Sequence, residues 1–194
     1  MQTSKTIPQK LFFYPPGGIL LWILIYVELF TYGLALFALA FYGAQERTLF
    51  HTESQLLNRT IGTVNTLLLL TSGLLVAKGV QWFKEKNFDK TLVNFYWAMG
   101  LGLGFLVLKT IEYALKLEQG YHLDYSTFFM FYWLLTGFHW IHVLVGLIIL
   151  FFVSRSIKKE KDQSKIEDVE AGAAFWHMCD LIWLLLFPML YLLF

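Results

Sequence analysis

A single cysteine, Cys179, excludes an intrachain disulfide and any metal site built from cysteines alone. Its apolar neighbours make a buried, inert thiol the plain reading. Proline is nearly as scarce: Pro8, Pro15 and Pro16 precede the first long apolar run, and Pro188 alone falls inside one. That scarcity counts against the broken helices that form mid-membrane substrate sites, and the lack of an internal repeat counts against inverted-repeat transporters. Charge is thin as well, at 15% of 194 residues against roughly 25% in soluble domains. A net charge of +1 offers nothing to a nucleic acid. No small-residue cleavage site follows a short apolar stretch near the N-terminus, so the first run is expected to stay as a helix and not to be removed as a signal peptide.

What the chain has instead is apolar length. Hydrophobic residues make up 57% of it and aromatics 19%, with a mean hydropathy of +0.57. They are grouped into five spans, approximately Ile19 to Tyr42, Ile61 to Gln81, Val93 to Leu115, Phe128 to Val153 and Ala173 to Phe194. Each is near or above the ~20 residues that a helix needs to cross about 30 Å of hydrocarbon. The expected fold is all-α, a polytopic five-helix transmembrane bundle forming one domain over residues 1–194, with no soluble domain left over. Basic residues set the expected orientation. Lys5 and Lys10, then Lys78, Lys84, Lys86 and Lys90, then Arg155, Lys158, Lys159, Lys161 and Lys165 flank one side, against only Arg47, Arg59 and Lys116 on the other. The positive-inside rule places the N-terminus in the cytoplasm and the C-terminus outside.

Seven ionisable side chains interrupt the apolar spans. Six come in pairs spaced i, i+3: Lys109 with Glu112, His139 with His142, and His177 with Asp180; the seventh is Glu28. A charge at the centre of a lipid-facing helix costs about 2.5–3.5 kcal/mol on insertion scales, so these groups are expected to face a protein interior, a cavity or one another. Residues three apart point about 60° apart, so each pair is expected to project from one helix face. Lys109 and Glu112 can neutralise each other, with a functional carboxylate at Glu112 as the sharper alternative. The histidines and Asp180 are expected to hydrogen-bond one another across the interface of spans four and five. Glu28 has no partner on its own helix. It is either a neutral carboxylic acid bonded to a neighbouring helix, the favoured form, or an anion with a partner the sequence does not reveal.

Asn65, Thr66 and Ser72, within NTLLLLTSG, mark a face where helices approach closely and bond across the contact. The polar connection Gly43 to Thr60 reads as solvent-exposed. Glu167, Asp168 and Glu170 suit the first turns of an extended fifth helix, where the dipole favours negative charge. Imidazoles and carboxylates in a bundle are also the materials of metal sites. The bundle di-iron pattern needs Glu-x-x-His on two helices, which does not occur, and Trp140 stands between the two histidines that could ligate haem. No metal site and no cofactor is therefore assigned. Two alternatives stay open: a haem or di-iron redox protein using His139, His142, His177, Glu112 and Asp180, and a small proton channel or transporter relaying through Glu28 and the His and Asp groups.

Five motifs in order resemble subunit III of the haem-copper oxidase superfamily: mid-helix Glu28, NT-x-LLL-x-S at Asn65 to Ser72, LKTIEY at Leu108 to Tyr113, TGFH-x-x-HV at Thr136 to Val143, and WH-x-x-D-x-x-W-x-x-L at Trp176 to Leu186. Longer members of that family have seven helices, the first two set apart by a lipid-holding cleft, and this chain resembles the short form without that pair. The STFFMFYWLLTGFH stretch and the PPGGILLW entry are similar to the NorE-type subfamily associated with nitric oxide reductase. Trp140 departs from the glycine usual after the first histidine, and Lys109 from the usual glutamine. The resemblance implies an accessory subunit without haem or copper, in a bacterial inner membrane. Such a subunit stabilises the catalytic subunit of nitric oxide reductase or a cytochrome c oxidase and supports proton uptake. Its implied partners are that subunit and membrane lipids, a bound phospholipid among them, with self-association left open and no nucleic acid.

Overall fold

Hydrocarbon cannot hydrogen-bond a free N–H or C=O, so each long apolar run closes its backbone internally as a helix. The computed structural model describes residues 18–160 and 165–194. Six helices run through them: α1 (Gly18–Gln45), α2 (Arg47–Ser54), α3 (Arg59–Lys84), α4 (Phe88–Glu118), α5 (Thr127–Glu160) and α6 (Ile166–Tyr191). Five are long and apolar enough to cross a membrane, and α2 is the exception. They match the five expected spans; the first four extend at both ends, because polar end residues such as Arg59, Lys84 and Glu118 continue the helix beyond its apolar stretch, while the fifth starts earlier, at Ile166, and ends at Tyr191, short of the expected Phe194. Lys5, Lys10, Lys161 and the prolines of PPGGILLW lie outside the described residues.

Helix ends carry their own stop signals. Asn58 caps α3 by accepting from the N–H groups of Thr60 and Ile61 at 3.0 and 3.1 Å, and Asn87 caps α4 by accepting from Lys90 N–H. The last turn of α4 is closed by Tyr121 N–H on Lys116 C=O and Gly120 N–H on Leu117 C=O, with Gly120 at φ 84°. That is a Schellman arrangement, in which the left-handed position suits glycine. The same two bonds end α3, where Lys86 takes the left-handed position at φ 60°. Glu167 and Asp168 sit in the first turn of α6, as their placement in the sequence suggests.

α6 is the central helix. More than half of its apolar window is buried (56%) against 17% for α1, which lies at the edge. α3 and α4 form an antiparallel hairpin, α5 packs on α4 and α6, and α1 leans on α6 and α5. Small residues let the helices close up. Trp176 of α6 wedges between Gly102 of α4 and Gly146 of α5, and a Cβ at either glycine would lie under 3 Å from the indole. Polar side chains then tie the helices: Ser72 Oγ donates to Ala98 C=O at 2.8 Å, Trp183 Nε1–H to Thr66 Oγ1 at 3.0 Å, and Lys84 pairs with Glu170 at 2.7 Å. Asn65 does not bond across the contact as expected. It is fully buried, and neither amide atom has a partner among the described residues.

The connection from Gly43 to Thr60 is corrected by the structure. Its centre is the short helix α2, whose Phe50, Glu53 and Ser54 are buried. Phe50 packs edge-on against Phe128 and Phe194, a contact between distant parts of the chain that a local reading of polarity misses. The Glu53 carboxylate accepts from Ser126 Oγ. Burial raises this carboxyl above its ordinary 4.5, the Ser126 bond opposes that, and Glu46 adds to it. The folded state then holds the proton more tightly than the unfolded chain does. Its stability is greatest below the unfolded value and falls as the pH rises through a window opening near 4.5. Glu53→Gln should flatten that slope in melting curves of the detergent-solubilised protein between about pH 4 and pH 7; an unchanged slope would refute the assignment.

Candidate functional site

The seven intramembrane groups divide into four arrangements. The most deeply buried is built on α4. Lys109 has no exposed surface, and its Nζ donates to Glu112 Oε2 at 3.0 Å, Tyr191 Oη at 2.7 Å and Tyr132 Oη at 3.2 Å. All three N–H bonds of the ammonium are thereby used. Tyr191 Oη in turn donates to Glu112 Oε1 at 2.7 Å, so both carboxylate oxygens are engaged. Aromatic rings enclose the ammonium, with the Tyr132, Tyr113, Tyr191 and Trp183 centroids 4.6, 5.1, 5.4 and 5.6 Å away. Cation–π attraction is strongest where water is excluded. Tyr132 and Tyr191 escape a sequence reading because they lie 23 and 82 positions from Lys109, and no periodic signal links them to it.

Glu28 has a partner after all. His142 Nε2 of α5 lies 3.2 Å from Glu28 Oε2 of α1. His142 Nδ1 sits 2.7 Å from the Phe138 carbonyl, which can only accept, so Nδ1 carries its hydrogen. The contact with Glu28 then holds one proton, either on Nε2 as an imidazolium facing a carboxylate or on the carboxyl donating to Nε2. The Tyr32 ring stands nearly perpendicular to the imidazole, with centroids 5.8 Å apart. The pair opens onto a largely apolar groove of about 410 Å³ between α1 and α5. Glu28→Gln keeps a donor for Nε2 at this part-exposed position, so the expected loss of stability is within about 1 kcal/mol. A loss several times larger in thermal melts would show that the negative charge is required.

The expected bonding of the histidines to one another is overturned. His139 and His142 do not act as a pair: His142 turns toward α1, while His139 turns into the core. There His139 stacks on Trp183 at 5.3 Å and meets the edge of Phe105, and neither ring nitrogen has a partner among the described residues. His177 and Asp180 do meet, with Nδ1 and Oδ2 3.3 Å apart, but along α6 and not across to α5. The Asp180 carboxylate lies over Gly73 of α3, where any Cβ would collide with it. Cys179 is buried and free. Among the described residues, no group of three or more His, Cys, Asp or Glu side chains has metal-binding geometry.

The arrangement can hold charge and protons inside the membrane and lock helix against helix. Comparison with known proteins adds an independent line. The family model described as "Cytochrome c oxidase subunit III" matches residues 23–193. Cytochrome c oxidase subunit 3 of Artemia franciscana is 35% identical over 129 residues, covering 66% of this chain and 49% of that protein. The Thermostichus vulcanus protein of the same name is 32% identical over 136 residues, 69% of this chain and 66% of its own length. That of Bacillus sp. (strain PS3) is 30% identical over 128 residues, 66% and 62% respectively. The chain thus spans about half the length of the animal relatives it matches.

Proposed function

This chain belongs to the cytochrome c oxidase subunit III family, and we propose that it serves as a non-catalytic accessory subunit bound to the catalytic subunit of a haem-copper enzyme in a bacterial inner membrane. The observation that carries the reading is the reach of the match: residues 23–193 take in most of α1 and all of the other four membrane-crossing helices. The arrangement of the seven intramembrane groups agrees with it. Lys109 with Glu112, Glu28 with His142 and His177 with Asp180 are engaged in one another, and His139 is stacked on Trp183 and perpendicular to Phe105. Glu28 with His142, and Lys109 and Glu112 with Tyr132 and Tyr191, tie one helix to another, which suits a supporting role.

The partner is proposed to be a nitric oxide reductase of the NorE-associated kind. Support comes from the sequence alone, in the run Ser126 to His139 and the PPGGILLW entry, which resemble that subfamily. A tagged copy purified from native membranes in mild detergent should carry a haem-bearing catalytic subunit at near-equal stoichiometry. Turnover of nitric oxide by the purified complex would support the reductase, and turnover of oxygen alone would replace it with an oxidase. Recovery with no haem protein at all would sink the accessory-subunit reading.

A further inference from the structure

Where α3 begins and α4 finishes, a cavity of about 630 Å³ opens between the α2–α3 connection and the last turns of α4. Arg59 and Lys116 line it, together with Glu112, Leu56, Leu115 and Gln119. The charges on its wall do not cancel. Glu112 is engaged through both oxygens by Lys109 and Tyr191, so its charge is already answered by a lysine behind it. Lys116 is 6% exposed and donates to the Leu56 carbonyl at 2.7 Å and to Gln119 Oε1 at 3.0 Å, both neutral acceptors. An ammonium has three donors, so one is left over on a buried cation that bonds no carboxylate and has only the Tyr121 ring, 5.5 Å away at its centroid, as a further neighbour. Arg59 is exposed and makes no ion pair among the described residues. The N–H groups at the start of α3 are already taken by Asn58 and play no part.

Two cations on one concavity, neither bonded to a carboxylate among the described residues, call for an anion, and the rest of the wall says which kind. Leu115 and Leu56 are 45% and 39% exposed beside the cations, an apolar surface next to a basic rim at the end of a membrane-crossing bundle. We propose that this cavity binds an anionic phosphate group through Lys116 Nζ and the Arg59 guanidinium, with the apolar wall receiving the first methylenes when the phosphate belongs to a phospholipid headgroup. The site does not depend on the accessory-subunit reading.

The full chain, delipidated in detergent, is titrated separately with phosphatidylglycerol, phosphatidylcholine and inorganic phosphate. Bound lipid is counted by native mass spectrometry, and the melting temperature is followed in parallel. Phosphatidylglycerol should bind and raise the melting temperature. Arg59→Gln should weaken binding about fivefold, and adding Lys116→Gln should bring the loss to roughly 25-fold. Arg59 is exposed, so its substitution leaves the fold intact and decides the matter even where the Lys116 variant fails to fold. Stabilisation by inorganic phosphate with the same dependence on Arg59 supports the site with a free anion as the ligand. Equal phosphatidylglycerol binding by wild type and Arg59→Gln, phosphatidylcholine held as tightly as phosphatidylglycerol, or no binding of any probe overturns the proposal.

Discussion

Lys109→Met should cost about 3–5 kcal/mol of stability and Glu112→Leu a similar amount, while the double variant should cost less than either single change. The reason is electrostatic. Either substitution alone leaves its partner as an uncompensated charge among Tyr132, Tyr191, Tyr113 and Trp183, in a place that is 0–2% exposed at both side chains. Removing both takes away the charge that cannot be solvated and leaves the Tyr132 and Tyr191 hydroxyls, which can bond each other, so that one donor is left without a partner, at about 1–3 kcal/mol. The ordering is what tests the idea, because a pair that merely filled space would give additive losses. Thermal unfolding of the purified variants, with membrane yield as a second readout, measures it. Single variants that melt with the wild type would show that the pair contributes nothing measurable.

The second large effect lies at the wedge of Trp176 between α4 and α5. Trp176→Ala should cost about 3 kcal/mol, near the lower end of the range for large-to-small core changes in soluble proteins, because the transfer term is small when the alternative environment is lipid and mainly the lost packing remains. The opposite change is also expected to hurt. A Cβ at Gly102 would lie 2.6 Å from Trp176 Cη2 and 3.0 Å from Leu147 Cδ2, and the rigid indole is held on its other side by Gly146, where a Cβ would come within 2.9 Å. Gly102→Ala should therefore cost about 1–3 kcal/mol. Trp176→Phe removes the part of the ring that meets Gly102. In the Trp176→Phe background, Gly102→Ala should lose most of its cost, a coupling that a double-mutant cycle reads directly. Additive effects would show that the two positions do not share this contact.

The pairing of buried charges shows where sequence reasoning reached and where it stopped. For Lys109 and Glu112 the i, i+3 spacing sufficed, since both side chains lie on the same face of α4 and meet at 3.0 Å. The same spacing misled at His139 and His142. Residues three apart diverge by about 60°, and at a seam between three helices that angle separates a ring in the core, stacked on Trp183, from a ring facing α1. Glu28 was conspicuous as an intramembrane acid, yet its partner stands 114 positions away on another helix. The α2 segment gives no signal of burial in the sequence because its residues are polar on average, although Phe50 is fully buried.

By itself the sequence determined the number of membrane-crossing helices, their approximate ends and the family. The hydrocarbon forces every span to satisfy its own backbone, so a long apolar run has only one structure available to it. The tertiary structure alone decided which side chains became partners. It placed Tyr132 and Tyr191 on Lys109, His142 on Glu28, the Asp180 carboxylate over Gly73, and Arg59 beside Lys116 on one cavity. Those juxtapositions depend on how far each helix is turned about its own axis. That angle is set by how the small residues of one helix admit the large residues of the next, a property of the packed bundle and not of any single span.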